Sequence, residues 1–415
     1  MAVVKPFKAL RPQKEIAHLV ASVPYDVVNR EEAKELVEDN PDSFLRVTRA
    51  EIELPETTDV YAPEVYKKAN ENLRELQKEG KLILDAEEHY YLYRLEMNGH
   101  SQIGIAAAFS VDDYDNNIIL KHENTRKIKE DDRTNHIITT NAHTGTVFLT
   151  YKTVPAINNI VNKAVLEIEP VYDFTASDGI KHSVWILPEE QNKILQDEFA
   201  KVKNLYIADG HHRAASAGRA RKLKMDANPL HTGAESYNYF LAVIFPADQV
   251  KILPYNRIIY NLNGLTEEEF LKEISEKFIV EKSDLKEPSQ KRSFGMYLDG
   301  SWYILNIKDS VNASLSLSSS ISGVLDVSIL QDFLLNPVLG IEDQRTSQNI
   351  DFIGGIRGTK ELEKLVNRDD VSAAFTFYPV SVEELMKISD AGEIMPPKST
   401  WFEPKLRDGL LILLI

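Results

Sequence analysis

The chain has 415 residues, a formal net charge of -16 and no cysteine. At about 150 residues per domain, that length predicts two or three domains. The acidic balance argues against a nucleic-acid-binding surface, which needs Lys and Arg to neutralise phosphates, and the missing cysteines exclude disulfides, thiolate nucleophiles and Cys-ligated zinc.

In chain order, Asn29 and Glu32 predict a capping box that opens a helix ending at Asn40-Pro41. Residues 63–79 carry an apolar stripe of Val65, Tyr66, Ala69, Leu73 and Leu76, the pattern of an amphipathic helix, and Gly80 stops it. Strands over 89–97 and 102–111 flank Asn98-Gly99, a strong hairpin signal. Further strands are expected over 147–152, 171–175 and 182–187, then a helix over 189–202. A short buried strand over 205–208 runs into a helix over 211–224. Beyond it come a strand over 239–245, a helix over 266–277 and a hairpin around Asp299-Gly300. Helices over 327–335, 360–367 and 382–388 follow, and the apolar tail 410–415 reads as a terminal strand. Strands and helices mix without strict alternation, so the predicted class is α+β, or mixed α/β. The expected division is 1–235, holding a nucleotide-binding core at about 115–225, and 236–415. No run approaches the roughly 18 apolar residues that span a bilayer. Residues 1–7 lack the apolar run of a signal peptide, and the expected location is the cytoplasm.

The segment Ala208-Asp209-Gly210-His211-His212-Arg213 carries the clearest chemistry. A buried strand ends at a carboxylate and a glycine, and a helix starts at once. A helix N-terminus presents N–H groups and a positive dipole end, which suits a phosphate. Gly210 lets backbone approach the anion, and Arg213 can fork onto two phosphate oxygens. The same residues also read as a capped helix with surface histidines. Zinc is disfavoured, because adjacent helical residues point about 100° apart. Asp209 is the local candidate to hold Mg2+.

The run Asp209 to Arg213 resembles the nucleotide-phosphate motif of the ParB/sulfiredoxin superfamily, and is most similar to that of the free-serine kinases. The whole chain resembles domain-of-unknown-function family 1015. That likeness rests on Lys5-Pro6-Phe7, Pro24-Tyr25-Asp26-Val27, His122-Glu123-Asn124-Thr125, Lys129-Glu130-Asp131-Asp132-Arg133, Leu253-Pro254-Tyr255-Asn256-Arg257 and Pro396-Pro397-Lys398-Ser399-Thr400, beside the Asp209 motif. The resemblance implies a ParB/sulfiredoxin-like core with added N- and C-terminal α/β regions. It implies phosphoryl transfer between ATP or ADP, with Mg2+, and serine, phosphoserine or a similar hydroxyl compound. It assigns Asp209 and Glu123 as catalytic, Glu123 as base, and Gly210, His211, His212 and Arg213 to the nucleotide. The expected partner is a small molecule rather than nucleic acid or membrane, and a homodimer is compatible with the sequence.

Secondary candidates for substrate or phosphate are Tyr25, Asp26, Arg133, Lys398, Ser399, Thr400 and Lys405. The run 129–133 reads as a solvated helix face, with Arg133 the member that reaches an anion. Gly392 to Ser399 almost spells a Walker A loop. Pro397 stands where its second glycine belongs, and proline neither donates an N–H nor takes positive φ, so a P-loop is rejected. The alternative to phosphoryl transfer is a nucleotide-binding switch without small-molecule chemistry.

Overall fold

Local turn chemistry sets the frame. In the computed structural model, which describes residues 2–368 and 370–415, Asn98 and Gly99 both take positive φ, at 51° and 77°. They join the antiparallel strands Tyr91–Met97 and His100–Ser110. This is the geometry a two-residue hairpin requires. Asp299 and Gly300 do the same between Ser293–Leu298 and Ser301–Ile307. The Asn29–Glu32 capping box forms with both hydrogen bonds at 2.8 Å.

The chain divides into two units. The first holds the residues up to Lys121, then Thr125–Val250 and Pro404–Ile415. The second holds His122–Asn124 and Lys251–Glu403. The break between the units in this part of the chain falls after Val250. Strand Tyr239–Pro246 belongs to the first unit because it pairs with both Val147–Tyr151 and His100–Ser110 in that unit's sheet.

That sheet has nine strands of mixed direction. Leu205–Asp209 lies between Ile119–Leu120 and Val147–Tyr151. Apolar residues from Tyr90, Leu92, Phe109, Leu149, Ile207 and Phe240 form its core with helices Pro155–Glu167 and Glu190–Phe199. The first of these helices was absent from the sequence reading; Pro155 sits at its N-terminal turn, where proline is tolerated. A four-stranded sheet completes the unit. In it the terminal strand Ile412–Leu414 pairs with Ala9–Pro12 on one side and Ala142–His143 on the other. The second unit carries a six-stranded antiparallel sheet and helices including Val382–Asp390. The segment expected to be one helix over 327–335 is helix Asp326–Leu330 followed by a wider π turn at Gln331–Leu335. The architecture is mixed α/β with several sheets.

Candidate functional site

Strand Leu205–Asp209 is buried along its length until Asp209. Its register with Val147–Tyr151 shifts between Ile207 and Asp209. A bulge of this kind re-aims the side chain that follows it. Gly210 then turns the chain with φ 93° and caps the helix His211–Asp226. A Cβ there would strain the backbone and stand 3.4 Å from Val147 Cα. Ala214, Ala217 and Ala220 bury the helix's inner face. A second, packed face is tied to helix Lys127–Thr140 through buried Ser216, which donates to the Glu130 carbonyl, and through Arg219, which pairs with Glu130 and Asp131.

Asp209 Oδ1 accepts from the Gly210 N–H at 2.8 Å, and Oδ2 meets Lys405 Nζ at 2.6 Å. Burial alone would raise this carboxyl, but Lys405, Arg213 and His211 hold it well below the usual carboxylate range. It is ionised near neutral pH. Desolvation pushes buried His211 down to about 3, so its imidazole is neutral. His212 Nε2 accepts from the Arg126 N–H at 3.0 Å.

Arg213 folds back toward the N-terminal segment. Its Nη1 donates to the Thr146 carbonyl at 2.6 Å. Its Nη2 stands 3.6 Å from Asp26 and 3.8 Å from Asp408. Its guanidinium lies 5.4 Å from the Tyr25 ring centre, and that of Arg133 lies 4.0 Å from it. Tyr25, Arg133, Thr144, Gly145, Arg213 and Asp408 thus line one small cavity of about 20 Å³ within the first unit.

The run 129–133 is only partly a solvated face. Asp132 is buried, accepting from Tyr66 Oη at 3.1 Å and pairing with Arg133 at 2.9 Å. Adjacent helical residues point only about 100° apart, so one wide inward-facing sector of the helix takes both. Glu123 is half-buried and belongs with the second unit, where the Met395 N–H donates to the neighbouring His122 carbonyl at 2.8 Å.

Lys405 and the Lys398–Thr400 segment separate. Lys405 joins Asp209 in the first unit, whereas Lys398, Ser399 and Thr400 form a turn in the second. Ser399 Oγ donates to the Pro396 carbonyl at 2.7 Å, and Lys398 takes φ 56°. The fully buried Arg257 donates to the carbonyls of Lys398, at 3.0 Å, and Pro397, at 3.2 Å, as well as to that of Tyr255. Its guanidinium lies 5.0 Å from the Phe352 ring centre and 4.8 Å from that of Phe377. One buried cation thus binds two sequence motifs into a single rigid corner.

Sequence reasoning missed Asp408, Thr144 and Gly145. The one local signal was the Asp408-Gly409 pair ahead of the apolar tail. Gly409 has φ 90°, and a Cβ there would stand 2.7 Å from Phe44.

None of the curated proteins matches this chain. Among solved structures, a conserved hypothetical protein from Pyrococcus furiosus is similar at 14% identity and TM-score 0.36, over 75% of this chain and 95% of its own. A free serine kinase in complex with AMP is similar at 14% identity and TM-score 0.36, over 74% and 92%. SbnI from Staphylococcus aureus, truncated at its C-terminus, reaches TM-score 0.40 at 12% identity, over 74% and 87%. The family model described as "Protein of unknown function (DUF1015)" matches residues 4–328, and the chain belongs to that family.

Proposed function

We propose that the first unit binds a nucleoside di- or triphosphate at the N-terminus of helix His211–Asp226. It moves a phosphoryl group between that nucleotide and a small hydroxyl compound of the serine/phosphoserine class. The observation that carries this reading is the Asp209-Gly210 turn. There an ionised carboxylate, a positive-φ glycine and a helix N-terminus follow one another, with Lys405 held against the carboxylate. Phosphate oxygens suit the N–H groups of that first turn, drawn from His211, His212 and Arg213, while Gly210 lets the anion approach closely and gives its own N–H to Asp209. The likeness of this motif to that of the free-serine kinases favours ATP or ADP, and a ParB/sulfiredoxin-like core at about 115–225.

Mg2+, bound by Asp209 and the nucleotide's phosphates, would neutralise charge on the transferred group. In the forward direction the substrate oxygen bonds to the terminal phosphorus. The bond from phosphorus to the bridging oxygen breaks, and the shortened nucleotide leaves with that electron pair. The hydroxyl proton passes to a carboxylate. The order of motifs in the sequence assigns that base to Glu123.

The test is a transfer assay of the full chain with Mg2+, ATP or ADP, and a panel including L-serine and O-phospho-L-serine. Phosphate should move between nucleotide and hydroxyl. Nucleotide binding without transfer to any acceptor would leave the switch reading instead. No nucleotide binding would overturn both.

A further inference from the structure

A groove of about 500 Å³ runs beside helix His211–Asp226, within the first unit. That volume is in the range of small-molecule sites, roughly 300–1,000 Å³. Three elements line it. Helix His211–Asp226 gives Ala215, Gly218 and Met225, helix Val111–Asp115 gives Tyr114, and the start of helix Lys127–Thr140 gives Glu130, with Thr125 just before it. Ala215 and Gly218 follow His211 on one helix face, at i+4 and i+7. At 1.5 Å per residue they stand about 6 Å and about 10 Å along the axis from the phosphate turn. The groove therefore starts one turn below that turn and leads away from it. The opposite side starts at the same level: Arg126, next to Thr125, gives its N–H to His212 Nε2 at 3.0 Å.

The guanidiniums in the groove are already paired. Arg219 meets Glu130 at 3.4 Å and also Asp131, and Arg221 meets Asp112 at 2.6 Å and Asp115 at 3.6 Å. Lys222 adds a cation only at the exposed rim. A further phosphate would find both guanidiniums taken, so the interior suits an uncharged group. It offers apolar surface from Ala215, Gly218 and Met225, and the Tyr114 ring, whose edge would stand 4.0 Å from a Cβ at Gly218. At the end nearer the phosphate turn it offers acceptors. Glu130 takes the Thr125 hydroxyl, and a carboxylate has further lone pairs for hydroxyl donors. Lys121 Nζ lies 3.8 Å from the Tyr114 ring centre. The same ammonium bears on His211, whose imidazole is lowered chiefly by burial and further by His212 and Lys121. Lys121 thus links the groove to the phosphate turn.

Apolar surface with an aromatic ring, then hydroxyl acceptors, then a phosphate site is the order of parts in a nucleotide: base, ribose, phosphate. We infer that this groove is the nucleoside subsite, with the base beside Tyr114 over Ala215 and Gly218, and the ribose hydroxyls donating to Glu130. The inference rests on the reading of the Asp209 turn as a nucleotide-phosphate site, and it assigns the half of the ligand that this reading leaves open.

The experiment is calorimetric titration of the full chain with ADP, GDP, CDP and inorganic pyrophosphate. At least one nucleoside diphosphate should bind tenfold or more tightly than pyrophosphate. Gly218→Leu places a branched side chain in the groove. Gly218 is helical, has no positive φ, and a Cβ there meets its nearest neighbour, Asp115 Oδ1, at 3.6 Å, so the backbone accepts the change. The variant should lose at least tenfold in affinity for the preferred nucleoside diphosphate and keep pyrophosphate within about twofold. Should it fail to fold, Tyr114→Ala reads the same groove and should show the same split. Nucleoside diphosphates no tighter than pyrophosphate, or native nucleotide affinity in a folded variant, overturns the inference and leaves the phosphate site standing. Binding of none of the four probes to the natural protein overturns the nucleotide reading itself, and the inference with it.

Discussion

Lys405 Nζ lies 2.6 Å from Asp209 Oδ2, although 196 positions separate them in the chain. The pair is half-buried and fixes both the ionisation of the carboxylate and the direction it points. Asp209→Asn should abolish turnover while keeping the fold, as judged by circular dichroism and thermal unfolding. Lys405→Gln removes the main cation that holds the carboxyl down. The acid limb of the rate profile should then move to higher pH. An unchanged profile would show that Asp209 ionisation plays no part in turnover, leaving it a structural cap.

Arg213 is expected to support the nucleotide. Arg213→Ala should weaken nucleotide affinity tenfold or more in a calorimetric titration. That corresponds to loss of charge-assisted hydrogen bonds worth roughly 1.5–3 kcal/mol. Because Nη2 also neighbours Asp26 and Asp408, the variant should lose thermal stability as well. Native nucleotide affinity in a folded variant would remove Arg213 from the phosphate site.

Glu123→Gln keeps the size of the side chain and removes the base. Nucleotide affinity should survive, and the chemical step should slow by roughly 10²–10⁴. Microscopic reversibility requires the reverse reaction to fall equally. Single-turnover rates measured in both directions decide this, and full activity in either returns Glu123 to an ordinary half-buried glutamate.

Asp408 should leave a mark on stability against pH. Burial raises its carboxyl to about 6, an effect that Arg213, the Thr146 N–H and Arg133 offset only in part and Asp26 reinforces. The unfolded value is about 3.9. The folded state therefore holds the proton more tightly between these values. This contribution is fully present below about pH 4 and is lost as pH rises through 6, an effect of about 3 kcal/mol. Relative to the natural protein, Asp408→Asn should gain stability by that order between pH 4 and pH 7.5. Denaturant unfolding of both proteins across the range measures the difference. His136 and His143, which line the same cavity, titrate near pH 4 in both proteins and largely cancel. A flat difference would mean that Asp408 is not desolvated.

Much of the local structure was legible in the sequence. The Asn98-Gly99 and Asp299-Gly300 hairpins, the Asn29 capping box and the helix Pro63–Lys78 follow from turn chemistry, capping and periodicity. So does the strand–glycine–helix turn at Asp209 to Arg213, because a buried strand, a positive-φ glycine and a small-residue helix each declare themselves within a few positions. Tertiary structure alone decided which charges meet. Lys405 and Asp408 reach this turn because the last strand, Ile412–Leu414, finds its partners in Ala9–Pro12 and Ala142–His143. Strand pairing over such separations leaves no periodic trace in sequence. Arg133 turns inward because Asp132 and Tyr66 receive its helix there, and Lys398 is held within the second unit, where Arg257 donates to its carbonyl. The motif was written locally, but its charge environment was set by contacts between distant segments, where burial rather than residue type fixes whether a carboxylate is ionised.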